Sequence, residues 1–123
     1  MLHQFRRMSE LSREGDFSCA DVIGCVFNLT ETDLMVFEVL SADSDSTSLE
    51  VADKIKRDRS TAHRSLEKLV ACGIARKMRR SKGTRGYSNA YRRITDRELY
   101  VRSKANIDEC YKNIEAALKG INK

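Results

Sequence analysis

The sequence has no run of about 18 apolar residues, so no segment of it reads as a membrane-spanning helix. Its opening stretch, MLHQFRRMSELSREGD, lacks the apolar core of a signal peptide. Both absences point to a cytoplasmic protein. Histidine is scarce. Of the two, His3 stands in the polar N-terminal stretch and His63 in a basic one, with no glycine-rich phosphate loop or nucleophile motif beside them. No catalytic constellation is expected, and the chain is not read as an enzyme. The four cysteines, Cys19, Cys25, Cys72 and Cys110, are scattered and contain no Cys-x-x-Cys pair. Cys19 and Cys25 are spaced off a common helical face, so neither a zinc site nor a disulfide framework is expected, and no cofactor is implied.

What is abundant is positive charge, unevenly spread. The 123 residues allow one domain and carry a net charge of +5, with 33% charged residues and a pI near 9.2. From Lys54 to Arg93 there are fourteen Lys or Arg against two acids, Asp58 and Glu67, whereas Thr30 to Asp53 holds seven acids and no Lys or Arg. A polarity of that kind suits a polyanionic partner, and nucleic acid is the first expectation.

The hydrophobic pattern divides the chain into an arm, a body and a tail. Residues 1–17 are polar and aperiodic and read as a flexible N-terminal arm. In the body, SCADVIGCVFN reads as a short helix capped by Ser18, with Val22, Ile23, Val26 and Phe27 on one stripe. A second helix starts at the cap Thr30, with Asp33 three residues on and Leu34, Val36, Phe37 and Leu40 apolar. TSLEVADKIKR is a two-turn helix capped by Ser48 that buries Leu49 or Val51, Ala52 and Ile55. After a tight turn, Asp58 caps RSTAHRSLEKLVAC, whose Ala62, Leu66, Leu69 and Val70 face inward and whose stop is Gly73. The last two of these helices make a helix-turn-helix.

IARKMRR and YSNAYRRI alternate with period two about the turn SKGTRG, which predicts a basic two-stranded hairpin. A helix-turn-helix followed by such a wing is a winged helix, so the fold class is mainly α with a small β-wing. The tail from Thr95, boxed by Glu98, reads as one helix over 95–123 with a heptad seam of Tyr100, Ser103, Ile107, Cys110, Ile114, Ala117 and Ile121. A helix about 40 Å long exceeds what so small a body can cover, which makes it a dimerisation helix. Cys110 reads as a small buried seam residue rather than a redox switch.

The segments CVFNLTETDLMVFEVL, VADKIKRDRSTAHRSLEKLVACGIARK and YSNAYRRI resemble the MarR and TrmB-like winged-helix transcription regulators common in archaea, over about Ser18 to Asn122. The resemblance implies a homodimeric DNA-binding protein. Full-length TrmB proteins also carry a C-terminal sugar-binding domain, which is not seen here, so sugar sensing is not expected. Residues 18–94 are then the DNA-binding domain. Its second helix offers Arg59, Ser60, Thr61, His63, Arg64 and Lys68 to the major groove, and the wing offers Arg79, Arg80, Lys82 and Arg85 to the adjacent minor groove or backbone. Tyr87 and Tyr91 are expected to pack the wing. Two alternatives stay open at this level, a winged-helix protein-interaction module and a weakly specific chromatin-coating protein.

Overall fold

The computed structural model describes residues 18–121. The arm expected at 1–17 lies outside the described residues. Five helices and a three-stranded antiparallel sheet follow: α1 (Cys19–Val26), α2 (Glu31–Val39), β1 (Ser46–Thr47), α3 (Ser48–Ile55), α4 (Arg59–Ala71), β2 (Ala75–Ser81), β3 (Tyr87–Arg93) and α5 (Asp96–Ile121).

Each of the first three helices begins in a reciprocal capping box, in which an Oγ accepts the amide three residues on and that residue's carboxylate accepts the cap amide. The pairs are Ser18 with Asp21, Thr30 with Asp33 and Thr47 with Glu50. The last of these corrects the sequence expectation by one residue. Ser48 is not the cap but a buried first-turn residue, because the carboxylate that completes the box is Glu50, three positions after Thr47. Leu49 is correspondingly exposed, and Val51, Ala52 and Ile55 are buried.

The turn into α4 uses Lys56 in the left-handed region, at φ 57°, and Asp58 as the cap of α4. Helix α4 ends in a Schellman motif. The amide of Ile74 donates to the Leu69 carbonyl at 3.0 Å and that of Gly73 to Val70 at 3.0 Å, with Gly73 at φ +79°.

Strand β3 is central. It pairs β2 from Ala75↔Arg93 to Ser81↔Tyr87, and β1 through Ser46↔Tyr91 and Thr47↔Ala90. Strand β1 was invisible in the sequence, since two residues in a polar loop have no period to detect. The core lies between the sheet and α1–α4, with Val36, Val51, Ala62, Leu66, Leu69, Ile74 and Tyr91 fully buried. Helix α5 starts in a Thr95–Glu98 box, contacts α1, and has Leu99 as its one buried residue.

Candidate nucleic-acid interface

The basic run divides into two populations in three dimensions. Six of its cations are tied down within the fold by acids. Arg80 Nη1 lies 3.0 Å from Glu50 and Arg92 Nη2 lies 2.8 Å from Asp45. Lys77 Nζ lies 2.7 Å from Glu67, and Lys68 Nζ lies 2.7 Å from Asp33. Arg76 pairs with Glu98 and Arg93 with Asp96. The acidic stretch therefore meets both strands of the wing, and much of the charge that looked outward in the sequence is answered inside the fold. Arg59, Lys82 and Arg85 are exposed and have no ion-pair partner among the described residues, and Arg79 lies 4.6 Å over the Tyr87 ring. Arg59, Arg79 and Lys82 converge. Arg59 and His63 from α4, and Arg79, Lys82, Tyr87 and Asn89 from the wing, line a cleft of about 600 Å³.

Two anchors fix the walls of that cleft. One is Glu67, which accepts from Lys77 of β2 and from the Tyr91 hydroxyl of β3 at 3.1 Å, so α4 and the wing share one carboxylate. The Lys77 hydrogen bond, helped by Tyr91, holds the Glu67 carboxyl below its ordinary range. Burial and then the Glu67 charge push the Tyr91 hydroxyl up, keeping it a donor. His63 Nε2 stands 3.7 Å from the same carboxylate. The other anchor is Asp33, only 4% exposed, which accepts from the Ser65 hydroxyl at 2.7 Å, the Thr30 amide at 2.9 Å and Lys68. It bolts α4 to the N-terminus of α2.

The structure thus sorts the candidate residues. Arg59, Ser60, His63 and Arg64 are exposed along α4, and Arg79, Lys82 and Arg85 are exposed along the wing. Three of the ten are otherwise engaged. Thr61 donates its hydroxyl to the cap carboxylate Asp58, Lys68 serves Asp33, and Arg80 bridges Glu50 and the Asp45 carbonyl, so its guanidinium faces β1 rather than the tip. Sequence reasoning missed Thr47, Ser48 and Leu49, which border the cleft from the end of β1 and the first turn of α3. Only the fold brings the start of α3 beside the wing. Tyr91 packs as expected, fully buried, whereas Tyr87 is 64% exposed beneath Arg79.

Along α5, Tyr100, Ile107 and Ile121 are exposed, Cys110 and Ile114 are half-buried and Ala117 is exposed. Tyr111 and Leu118, also exposed, widen the same stripe. A strict three-four count passed over them, although at about 100° per residue they fall beside Tyr100 and Ile107. Among the described residues no group of His, Cys, Asp or Glu is arranged to hold a metal ion. Cys72 is half-buried, and burial pushes its thiol up.

The family model described as the sugar-specific transcriptional regulator TrmB matches residues 25–106, from α1 through the wing into α5. The chain belongs to the TrmB family. Its winged-helix body with a long C-terminal helix is shared by a possible transcriptional regulator from Methanosarcina mazei Go1. That protein is 25% identical, with a TM-score of 0.74, over 85% of this chain and 93% of the other. The ST1889 protein of the thermoacidophilic archaeon Sulfolobus tokodaii is 27% identical, with a TM-score of 0.57, over 80% and 92% of the two chains. In sequence, the uncharacterized protein MJ1082 of Methanocaldococcus jannaschii is 24% identical over 85% of this chain and 87% of its own length. This TrmB-family chain is therefore a winged helix-turn-helix protein of a transcriptional-regulator family with archaeal relatives.

Proposed function

We propose that the protein is a sequence-specific double-stranded DNA-binding transcriptional regulator that acts as a homodimer. The observation that carries the reading is the sorting of charge. Six cations of the basic run are neutralised by neighbours, whereas Arg59, Arg79 and Lys82 are left without ion-pair partners among the described residues around one cleft. A solvated basic surface needs no such division. In this reading α4 enters the major groove, where Arg64 and Arg59 offer bidentate donors to guanine O6 and N7, with Ser60 and His63 beside them. Arg79, Lys82 and Arg85 follow the neighbouring backbone or minor groove, and the cleft between helix and wing takes the sugar-phosphate strand that separates the two grooves.

The exposed stripe Tyr100, Ile107, Tyr111, Leu118 and Ile121 is the dimer contact, joined by Cys110, Ile114 and Ala117 at its edge. A second copy of α5 supplies a matching apolar face, and two bodies then present recognition helices to half-sites about one helical turn apart.

The test is fluorescence anisotropy on a mixed-sequence duplex and on the gene's own upstream region across several salt concentrations. Six phosphate contacts per dimer give a fall in log K of about 5 per decade of salt. Tighter binding to the upstream fragment at matched salt supports a sequence-specific regulator. Equal, weak binding to both overturns sequence specificity, and no binding at low salt overturns DNA recognition itself.

A further inference from the structure

Along α4, Arg59, His63 and Glu67 follow one another at four-residue spacing, so a cation, an imidazole and a carboxylate occupy successive turns of one face. His63 Nε2 stands 3.7 Å from Glu67 Oε1, and the imidazole is half exposed. The same Oε1 accepts from Lys77 Nζ at 2.7 Å and from the Tyr91 hydroxyl at 3.1 Å, which holds the carboxylate in place. Arg59 and His63 line the cleft between helix and wing, the place proposed above for a sugar-phosphate strand. One side of the imidazole therefore has an anion already, and the cleft supplies room for another.

The charged and titratable groups around His63 come from the helix and both strands of the wing. Arg59, Arg64 and Glu67 share α4, Lys77 and Arg79 belong to β2, Lys82 to the wing turn, and Tyr87 and Tyr91 to β3. The end of β1 and the first turn of α3 add only the uncharged Thr47, Ser48 and Leu49. The Lys77 hydrogen bond holds the Glu67 carboxyl low, the same bond pushes the Lys77 ammonium up, and burial pushes the Tyr91 hydroxyl up. All three keep their charge state near neutrality. Histidine is the side chain whose charge changes between about pH 5 and 8, and His63 is the one histidine among the described residues.

Hydrogen-bond stoichiometry decides what a strand in the cleft requires. A neutral imidazole has one N–H donor, whereas an imidazolium has two. Bridging two anionic acceptors, a carboxylate on one side and a phosphodiester on the other, takes both. We propose that His63 is a proton-gated phosphate contact, which takes up one proton from solvent as the DNA strand enters and is held as an imidazolium between Glu67 and a backbone phosphate. This deepens the DNA-binding reading and rests on it. Because the bound state holds the extra proton, affinity rises as pH falls, with a limiting slope of about one decade per pH unit for each subunit.

The test measures anisotropy of the full chain on a mixed-sequence duplex at constant ionic strength, from about pH 8 to about pH 6. The wild-type dissociation constant is expected to fall at least about tenfold across that range. His63→Gln, which keeps a donor but cannot take up the proton, reduces the change to less than about twofold, while a His3→Gln control follows wild type. Glu67→Gln still accepts from Tyr91 and Lys77 but loses the charge, and it flattens the dependence. In the complex at neutral pH, ¹⁵N-labelled histidine shows both ring nitrogens of His63 protonated. DNA binding that does not vary with pH, a full pH dependence retained in His63→Gln, or a single protonated ring nitrogen in the complex overturns the proton uptake and leaves the DNA-binding reading standing. A slope unchanged in Glu67→Gln overturns the bridge to the carboxylate. No binding at any pH overturns the DNA-binding reading and this contact with it.

Discussion

Replacing Lys68 with methionine keeps the apolar stem of the side chain and removes the ammonium that lies 2.7 Å from the Asp33 carboxylate. Asp33 keeps its hydrogen bonds from Ser65 and the Thr30 amide but loses its only counterion among the described residues. Breaking a fully buried ion pair from one side costs about 3–5 kcal/mol. The Lys68 side chain is 37% exposed, so water screens part of that loss, and about 2 kcal/mol is expected. In a domain of this size that is roughly 8 °C in Tm, readable by thermal or urea denaturation.

The acid side of the stability curve carries a second signature. Burial raises the Asp33 carboxyl, but hydrogen bonds from Lys68, Thr30 and Ser65 outweigh it and leave the group below its ordinary value. A depressed folded-state value means stability that is present above the unfolded value of about 4 and is lost as pH falls through the folded one. Lys68→Met should therefore narrow the difference in urea midpoint between pH 7 and pH 3. DNA binding closes the argument. A side chain committed to Asp33 leaves the salt slope unchanged on removal, whereas a phosphate contact lowers it by about 1 per site. A Tm within a degree of wild type, together with a shallower salt dependence, would refute the anchoring role and return Lys68 to the DNA surface.

On DNA, Arg64→Ala is expected to relax base preference at one position by about 1–3 kcal/mol, while Lys82→Ala weakens all duplexes alike. Unchanged affinity and preference for Arg64→Ala in a competition assay would remove Arg64 from the groove. Ile107→Asp with Leu118→Asp should yield a folded monomer by sedimentation, with DNA affinity lowered at least a hundredfold through loss of the second half-site. A dimer that survives both changes places the contact elsewhere. Gly73→Ala should cost about 1–2 kcal/mol from the left-handed backbone, measured by urea denaturation. Arg102→Ala should not rescue it, because a Cβ at Gly73 would meet only the flexible end of the Arg102 side chain, which moves aside, whereas the φ value stays.

Local chemistry was enough for most of the architecture. Capping boxes, the three-and-four spacing of Ala62, Leu66 and Leu69, the left-handed stop at Gly73 and the period-two strands each act within a few residues, so helix-turn-helix, wing and long helix were all legible. Even the misplaced cap at Ser48 was an error of one residue between two adjacent hydroxyls. The resemblance of DRSTAHRSLEKLVACG to winged-helix regulators agreed with that reading, and the TrmB family match bears it out.

What the sequence could not decide is which charges are free. Arg79 and Arg80 are neighbours with the same chemistry, yet alternation along β2 sends one over Tyr87 beside the cleft and the other to Glu50 and the Asp45 carbonyl, thirty and thirty-five residues earlier. Lys68 shares a helix with Arg64 and differs only in meeting a carboxylate from α2. The same is true of β1, whose two residues acquire a strand conformation only from the edge of β3. The sequence by itself determined the elements and their order, because propensity and periodicity are properties of neighbouring residues. Only the tertiary structure decided which cations remain for a partner, because an ion pair depends on a separation of a few ångströms between side chains that the chain places tens of residues apart.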